Sequence, residues 1–288
     1  MILVPLSDHP FYLWQAVVQM YVLQGQEVRW LIYNHRNYVP LLVEAIIKED
    51  IGEVVVYQDW ERDRSYNAAM KPWLVGKWLS DTEWTGDVQV FDPDVIPTGL
   101  PLPSAESEVL FGTCTDWYTG PEWLDSKGVL TLLCDLLGVD IDLARQFPGI
   151  GAQYIFKDIP GYWWETVAKE SIKAYHLLKA HPVDAQPWCA EMYVTHLLAL
   201  RDWYKPVAHP QMDMIWANNP VSGWNSAGYF HDAGVLKPQN GSFHKSSYQS
   251  WPRRIPEVAS DQAAYRYVEL IKETEAKWPK LIKKFSRH

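Results

Sequence analysis

Phe91-Asp92-Pro93-Asp94 is the segment of this sequence with the sharpest chemical content. Two carboxylates one residue apart at a strand end can both reach a hard divalent cation when the chain leaves the pleat between them, and Pro93 favours that departure. A cation held there would neutralise a diphosphate and act as a Lewis acid on a leaving group. Two acids in a turn after a strand are also commonplace, so this spacing is weak evidence alone. Far downstream, His231-Asp232-Ala233-Gly234-Val235-Leu236-Lys237-Pro238 has His-x-x-Gly-x-x-Lys-Pro spacing. A neutral imidazole ligates Mn²⁺, Gly234 lets the backbone approach a phosphate closely, and Lys237 supplies a point charge. Standing alone, the same loop reads equally well as a surface turn with an incidental histidine.

The elements that must position these groups follow from apolar patterning. Ile2 to Pro5, Val28 to Tyr33, Glu53 to Tyr57 and Asp87 to Phe91 read as strands. Between them, Trp14, Val17, Val18, Tyr21 and Val22 recur at helical spacing with a stop at Gly25, and Pro72 suits the first turn of a helix through Leu79. Such alternation predicts an α/β fold whose mostly parallel sheet carries helices on its faces and binds ligands beyond the strands' carboxyl ends. Pro97 to Ser104 reads as a loop, followed by a mixed region with short helices to Phe147. Helices are expected near Tyr162 to Leu178 and Trp188 to Leu200, and short strands and loops from Met212 to Tyr248. A final helix, Asp261 to Phe285, is interrupted at Pro279. The expected organisation is one domain over residues 1–255 and a C-terminal helical appendage over 256–288.

Composition narrows the function classes. The 48% hydrophobic and 21% charged fractions are those of a globular chain. A net charge of −9 argues against a protein that coats nucleic acid through clustered basic residues. Three widely spaced cysteines encode neither a disulfide framework nor a zinc knuckle. The N-terminal residues lack the pattern of a signal peptide, and no apolar stretch is long enough to span a bilayer, so the expectation is a protein of the cytoplasm with no membrane contact. Sixteen Trp and sixteen Tyr exceed what a core of this size needs, and such flat faces often line sites for sugars or bases.

Asp92-x-Asp94 together with the late His231, Gly234 and Lys237 resembles the metal and diphosphate motifs of GT-A glycosyltransferases. The residue after Lys237-Pro238 is Gln239, where those enzymes often carry Trp. A wider set in chain order is similar to plant hydroxyproline O-arabinosyltransferases and peptidyl-serine galactosyltransferases: Asp8 to Gln15, Met20-Tyr21, Lys71-Pro72-Trp73, Trp78-Leu79, Asp92-Pro93-Asp94, Gly151 to Phe156, and Trp188 to Tyr193. The resemblance implies a GT-A-like single domain, Mn²⁺ or Mg²⁺ at Asp92, Asp94 and His231, and a UDP-sugar donor contacted by Asp8, Gly234, Lys237 and Trp188. It also implies a hydroxyl acceptor.

Glu191 is the candidate general base, since a carboxylate near the anomeric carbon can take the acceptor's proton. Its alternatives are orienting the donor sugar or pairing with a nearby arginine, and Asp184 is the second candidate. Trp188 either stacks on a sugar or starts a helix as a core residue. The plant enzymes are anchored Golgi proteins, so a cytoplasmic relative needs another acceptor. Large phages carry glycosyltransferases that decorate hydroxymethylpyrimidines in their own DNA, and a DNA hydroxymethyl group in a host cytoplasm is the leading expectation. A peptide or small-molecule hydroxyl is the alternative, and a non-catalytic carbohydrate- or nucleic-acid-binding module is the alternative of another class. No obligate protein partner is inferred. His244-Lys245 and Trp251-Pro252-Arg253-Arg254 either face a phosphodiester backbone or form a solvated loop.

Overall fold

The computed structural model describes residues 1–35, 41–58, 65–181, 185–233, 235 and 237–285. Its first half alternates β1 (Ile2–Ser7), α1 (Pro10–Val22), β2 (Val28–Tyr33), α2 (Leu41–Lys48), β3 (Glu53–Tyr57), α3 (Met70–Thr82) and β4 (Asp87–Val90). There follow β5 (Val95–Pro97), β6 (Val109–Cys114), the short helices α4 (Asp116–Thr119), α5 (Pro121–Ser126), α6 (Leu130–Leu137) and α7 (Ile141–Ala144), and β7 (Ile150–Lys157). The chain continues with α8 (Gly161–Ala180), α9 (Ala190–Arg201), β8 (Lys205–Ala208), β9 (Met214–Trp216), β10 (Tyr229–His231), α10 (Ala263–Lys277) and α11 (Pro279–Phe285).

Seven strands form one sheet in the order β3-β2-β1-β4-β7-β6-β8. The first four run parallel, β7 is antiparallel to both its neighbours, and β6 is parallel to β8. Side chains alternate between two apolar layers with the period of two that a pleat imposes. Leu3, Leu110, Tyr154 and Phe156 join Leu74, Trp164 and Leu197 from α3, α8 and α9 on one face. Val4, Phe111 and Ile155 join Val17 and Tyr267 from α1 and α10 on the other. Burial on both faces makes these strands near-continuous apolar runs rather than alternating ones. Helices α10 and α11, which cover most of the expected appendage, thus pack into the core that α1 lines.

Two prolines free the carboxyl end of β1. The carbonyls of Met1 and Leu3 accept from Gln89 and Phe91 on the β4 side, so Pro5 faces that side too. Pro5 has no N–H to lose there, and β4 has already turned away at Pro93. The chain after β4 enters β5, whose partner is β10, and a second, three-stranded sheet β5-β10-β9 begins at the edge of the first.

A histidine is folded into the core as a neutral group. His196 on α9 is buried, and neither ring nitrogen has a hydrogen-bond partner among the described residues. Burial depresses its pKa from 6.5 to about 4. Between those values the unfolded chain binds the extra proton, so the stability His196 contributes is intact above pH 6.5 and is lost as pH falls towards 4. The expected cost of acidification through this residue is about 3 kcal/mol, at 1.36 kcal/mol per unit. Urea unfolding of wild type and His196→Leu at pH 7 and pH 4.5 checks this, with the variant losing less stability across the interval.

Candidate active site

A cleft of about 1080 Å³ opens where β1 and β4 end, and its wall includes Pro5, Ser7, Asp92, Asp94, Glu191 and His231. The β5–β10 ladder explains how a residue so far downstream reaches this place. His231 is in register with Val95, and Asp232 donates its N–H to the Asp94 carbonyl at 3.0 Å. The His231 Nε2 consequently lies 3.3 Å from Asp94 Oδ2. From α1, the Gln19 amide donates to the carbonyls of Asp92 and Val95, which fixes the backbone on both sides of Asp94.

Each acid is answered by a lysine. The Lys245 ammonium donates to Asp94 Oδ2. Burial alone would raise the Asp94 carboxyl, but Lys245 and His231 outweigh it and hold the group well below the usual carboxylate range. Lys71, near the start of α3, lies 3.3 Å from Asp92 Oδ1 and 3.1 Å from Glu191 Oε2. Burial would lower its pKa, and those two carboxylates raise it instead. Lys71 also donates to the carbonyl of Ala152 at 3.1 Å. That carbonyl is turned inward by a left-handed Ala152, φ 60°, just where the β6–β7 register shifts. The neighbouring Gln153 donates to Asp92 Oδ2 at 3.2 Å.

Glu191 stands in the first turn of α9, only 3% exposed, and its pKa is raised by burial against the pull of Lys71. The Tyr66 hydroxyl accepts from the Glu191 N–H and donates to the Trp188 carbonyl, both at 2.8 Å, so one phenol braces the entry to that helix. Behind His231, Asp232 is buried with one carboxylate oxygen that has no partner among the described residues, and burial pushes its pKa up to about 7.

No family model and no curated protein matches this chain by sequence. Among solved structures it is similar to the galactosyltransferase LgtC in complex with donor and acceptor sugar analogs, at 10% identity and a TM-score of 0.50, over 97% of this chain and 99% of that one. An active-site mutant of LgtC aligns at 13% identity and a TM-score of 0.53, over 94% and 95%. The glycosyltransferase GlyE of Streptococcus pneumoniae TIGR4 aligns at 11% identity and a TM-score of 0.50, over 96% of this chain. The chain spans 63% of GlyE's length. This is a GT-A-like glycosyltransferase fold.

In the glycosyltransferase fold the expected site residues separate into three groups. Asp92, Asp94, His231, Glu191 and Trp188 line the same cleft. Asp8 lies behind the wall, where its carboxylate accepts from the His35 N–H and meets His35 Nδ1 at 2.9 Å, so His35 and not Asp8 lines the cleft. Lys237 is exposed and absent from the cleft wall, and the inward-facing lysine of that region is Lys245, from a segment expected to face solvent or phosphodiester. Asp184 and Gly234 lie outside the described residues.

The ligand chemistry of carboxylate plus imidazole suits Mn²⁺ better than Mg²⁺. Asp94 and His231 already meet, whereas Asp92 turns to Lys71 and Gln153, and among the described residues no three His, Cys, Asp or Glu groups converge as a ready ligand set. A cation here would take over from the ammonium groups as counter-charge to the acids. Lys71, Gln153, Gln19, Tyr66 and Lys245 are residues around the site to which sequence reasoning gave no such role; Lys71, Gln153 and Lys245 stood inside noted segments, and Gln19 and Tyr66 stood in none.

Replacing Lys71 by Met would leave Asp92 and Glu191 facing each other without their shared cation. The expected loss is about 3–5 kcal/mol, as for one partner removed from a buried pair. Adding Glu191→Gln to Lys71→Met should recover part of it, and equilibrium denaturation of the four proteins in that cycle measures the coupling.

Proposed function

We propose that this chain is a metal-dependent glycosyltransferase that moves a sugar from a UDP-sugar to a hydroxyl group. The observation that carries the reading is the meeting of Asp94 and His231 at 3.3 Å at the end of the central strands, inside a cleft large enough for a nucleotide sugar. Asp92, Asp94 and His231 would hold Mn²⁺ or Mg²⁺, which when bound supplies Lewis-acid stabilisation of the leaving diphosphate. Lys245 then exchanges its contact with Asp94 for the diphosphate oxygens, the part first given to Lys237. Fixed cations of this kind stabilise charge that develops on the leaving group at no cost in reorganisation.

Glu191 acts as the general base in this proposal. The acceptor oxygen forms a bond to the anomeric carbon, the bond from that carbon to the diphosphate oxygen breaks with its electrons, and the hydroxyl proton passes to Glu191. A carboxylate whose pKa is raised by burial is a better proton acceptor than an exposed one. Lys71 keeps it ionised and aimed into the cleft. The acceptor expectation, a hydroxymethylpyrimidine in DNA, rests on the expected cytoplasmic setting and not on the motifs, and enters the test beside peptide and small-molecule hydroxyls.

Mass spectrometry of hydroxymethylated and plain DNA, a seryl peptide and a simple glycoside, each incubated with a panel of UDP-sugars and Mn²⁺, is the test. The expected outcome is a sugar adduct on one acceptor class, abolished by chelator and reduced at least ~100-fold in Asp94→Asn, the scale for losing one preorganised charge contact. UDP-sugar affinity that survives loss of both Asp92 and Asp94 would instead favour a non-catalytic carbohydrate-binding module. If the base assignment holds, Glu191→Gln lowers kcat by about 10²–10⁴ with little change in donor KM, measured by initial rates.

A further inference from the structure

Six large apolar side chains are strongly exposed among the described residues, and three of them, Tyr12, Trp117 and Trp188, lie on the cleft wall. Trp117 is 57% exposed and Trp188 is 63% exposed. Aromatic side chains on a concave wall are the surface that such sites ordinarily present to a ligand. Both rings are tied to the polar floor. Trp117, on α4, stands edge-on to Trp216 with ring centroids 6.4 Å apart, and Trp216 in turn packs on His231 at 5.0 Å. Trp188 precedes Glu191 by three residues, and its carbonyl is held by Tyr66. One ring thus connects to the end of the cleft where the diphosphate is placed, the other to the proposed base.

Building on the function proposed above, we infer that Trp117 and Trp188 form the acceptor subsite, with Trp188 serving the acceptor in place of the donor contact that the resemblance implied, and that the subsite takes a flat, uncharged ring bearing the reactive hydroxyl. Indole faces gain most from a planar or face-presenting partner such as a sugar ring or a nucleobase. An extended seryl chain offers no such face. Charge points the same way among the described residues, where the two lysines of the cleft wall are already engaged by Asp92, Asp94 and Glu191.

The indole N–H signals of the ¹⁵N-labelled full chain provide the test, with Trp117→Ala and Trp188→Ala identifying the two resonances. Both side chains are more than half exposed, so the variants should keep the wild-type spectrum elsewhere. UDP with Mn²⁺ is added first, then methyl β-galactopyranoside, 5-hydroxymethyl-2′-deoxyuridine or acetyl-serine amide. Expected is a shift of both signals with at least one ring compound and none with the serine amide. Each Ala variant should weaken that compound by roughly 5- to 150-fold, the range for loss of one stacking face, with UDP affinity unchanged. Which ring compound binds tells sugar from base. UDP binding with both indoles unmoved by either ring, or moved equally by the serine amide, overturns the inference alone. No UDP binding at all overturns the glycosyltransferase reading and the subsite with it.

Discussion

Everything in this site depends on balancing buried charge. Asp92, Asp94 and Glu191 are gathered on the wall of one cleft, where an unpaired buried carboxylate costs several kcal/mol. The fold meets that cost with Lys71 between two of the acids and Lys245 on the third. A cluster balanced in this way is poised to exchange partners. A diphosphate brings negative charge that frees lysines from carboxylates, and a divalent cation brings positive charge that frees carboxylates from lysines. Under the proposed function, donor and cation would fit the site best together, each restoring the balance the other disturbs.

The backbone serves this arrangement at three points. Pro5 and Pro93 end the pairing of β1 with β4 and open the space between them. The β5–β10 ladder then carries His231 to Asp94 across more than a hundred residues of chain. The left-handed Ala152 sits at a register shift between β6 and β7 and presents its carbonyl to Lys71. Left-handed backbone at a non-glycine residue is costly, and its position against a buried lysine of the cleft is where strain is expected to have a use.

Much of the fold was legible in the sequence because the parallel strands are dense in β-branched and aromatic residues. Val28–Tyr33 and Glu53–Tyr57 fall where the pattern put them, and the helix break at Pro279 does too. Strands β6 and β7 were not read. They are buried on both faces, carry Gly112 and Gly151, and are flanked by short helices, so neither alternation nor turn residues mark them. In the site, Asp92, Asp94 and His231 stood out because ligand chemistry restricts residue type and spacing. Lys71 and Lys245 did not, because a lysine carries no mark of burial in sequence. The His-x-x-Gly-x-x-Lys-Pro spacing drew attention to Lys237, while the inward lysine opens a single 3-10 turn, Lys245–Ser247, eight residues later.

The central claim is that Asp92, Asp94 and His231 share one cation whose arrival releases Lys245. Anomalous diffraction at the manganese edge, from crystals grown with Mn²⁺ and UDP, addresses it directly. The account predicts a single strong peak within bonding distance of Asp94 and His231, with the Lys245 ammonium on the diphosphate. UDP bound in the cleft with no peak there, and Lys245 still on Asp94, would contradict it.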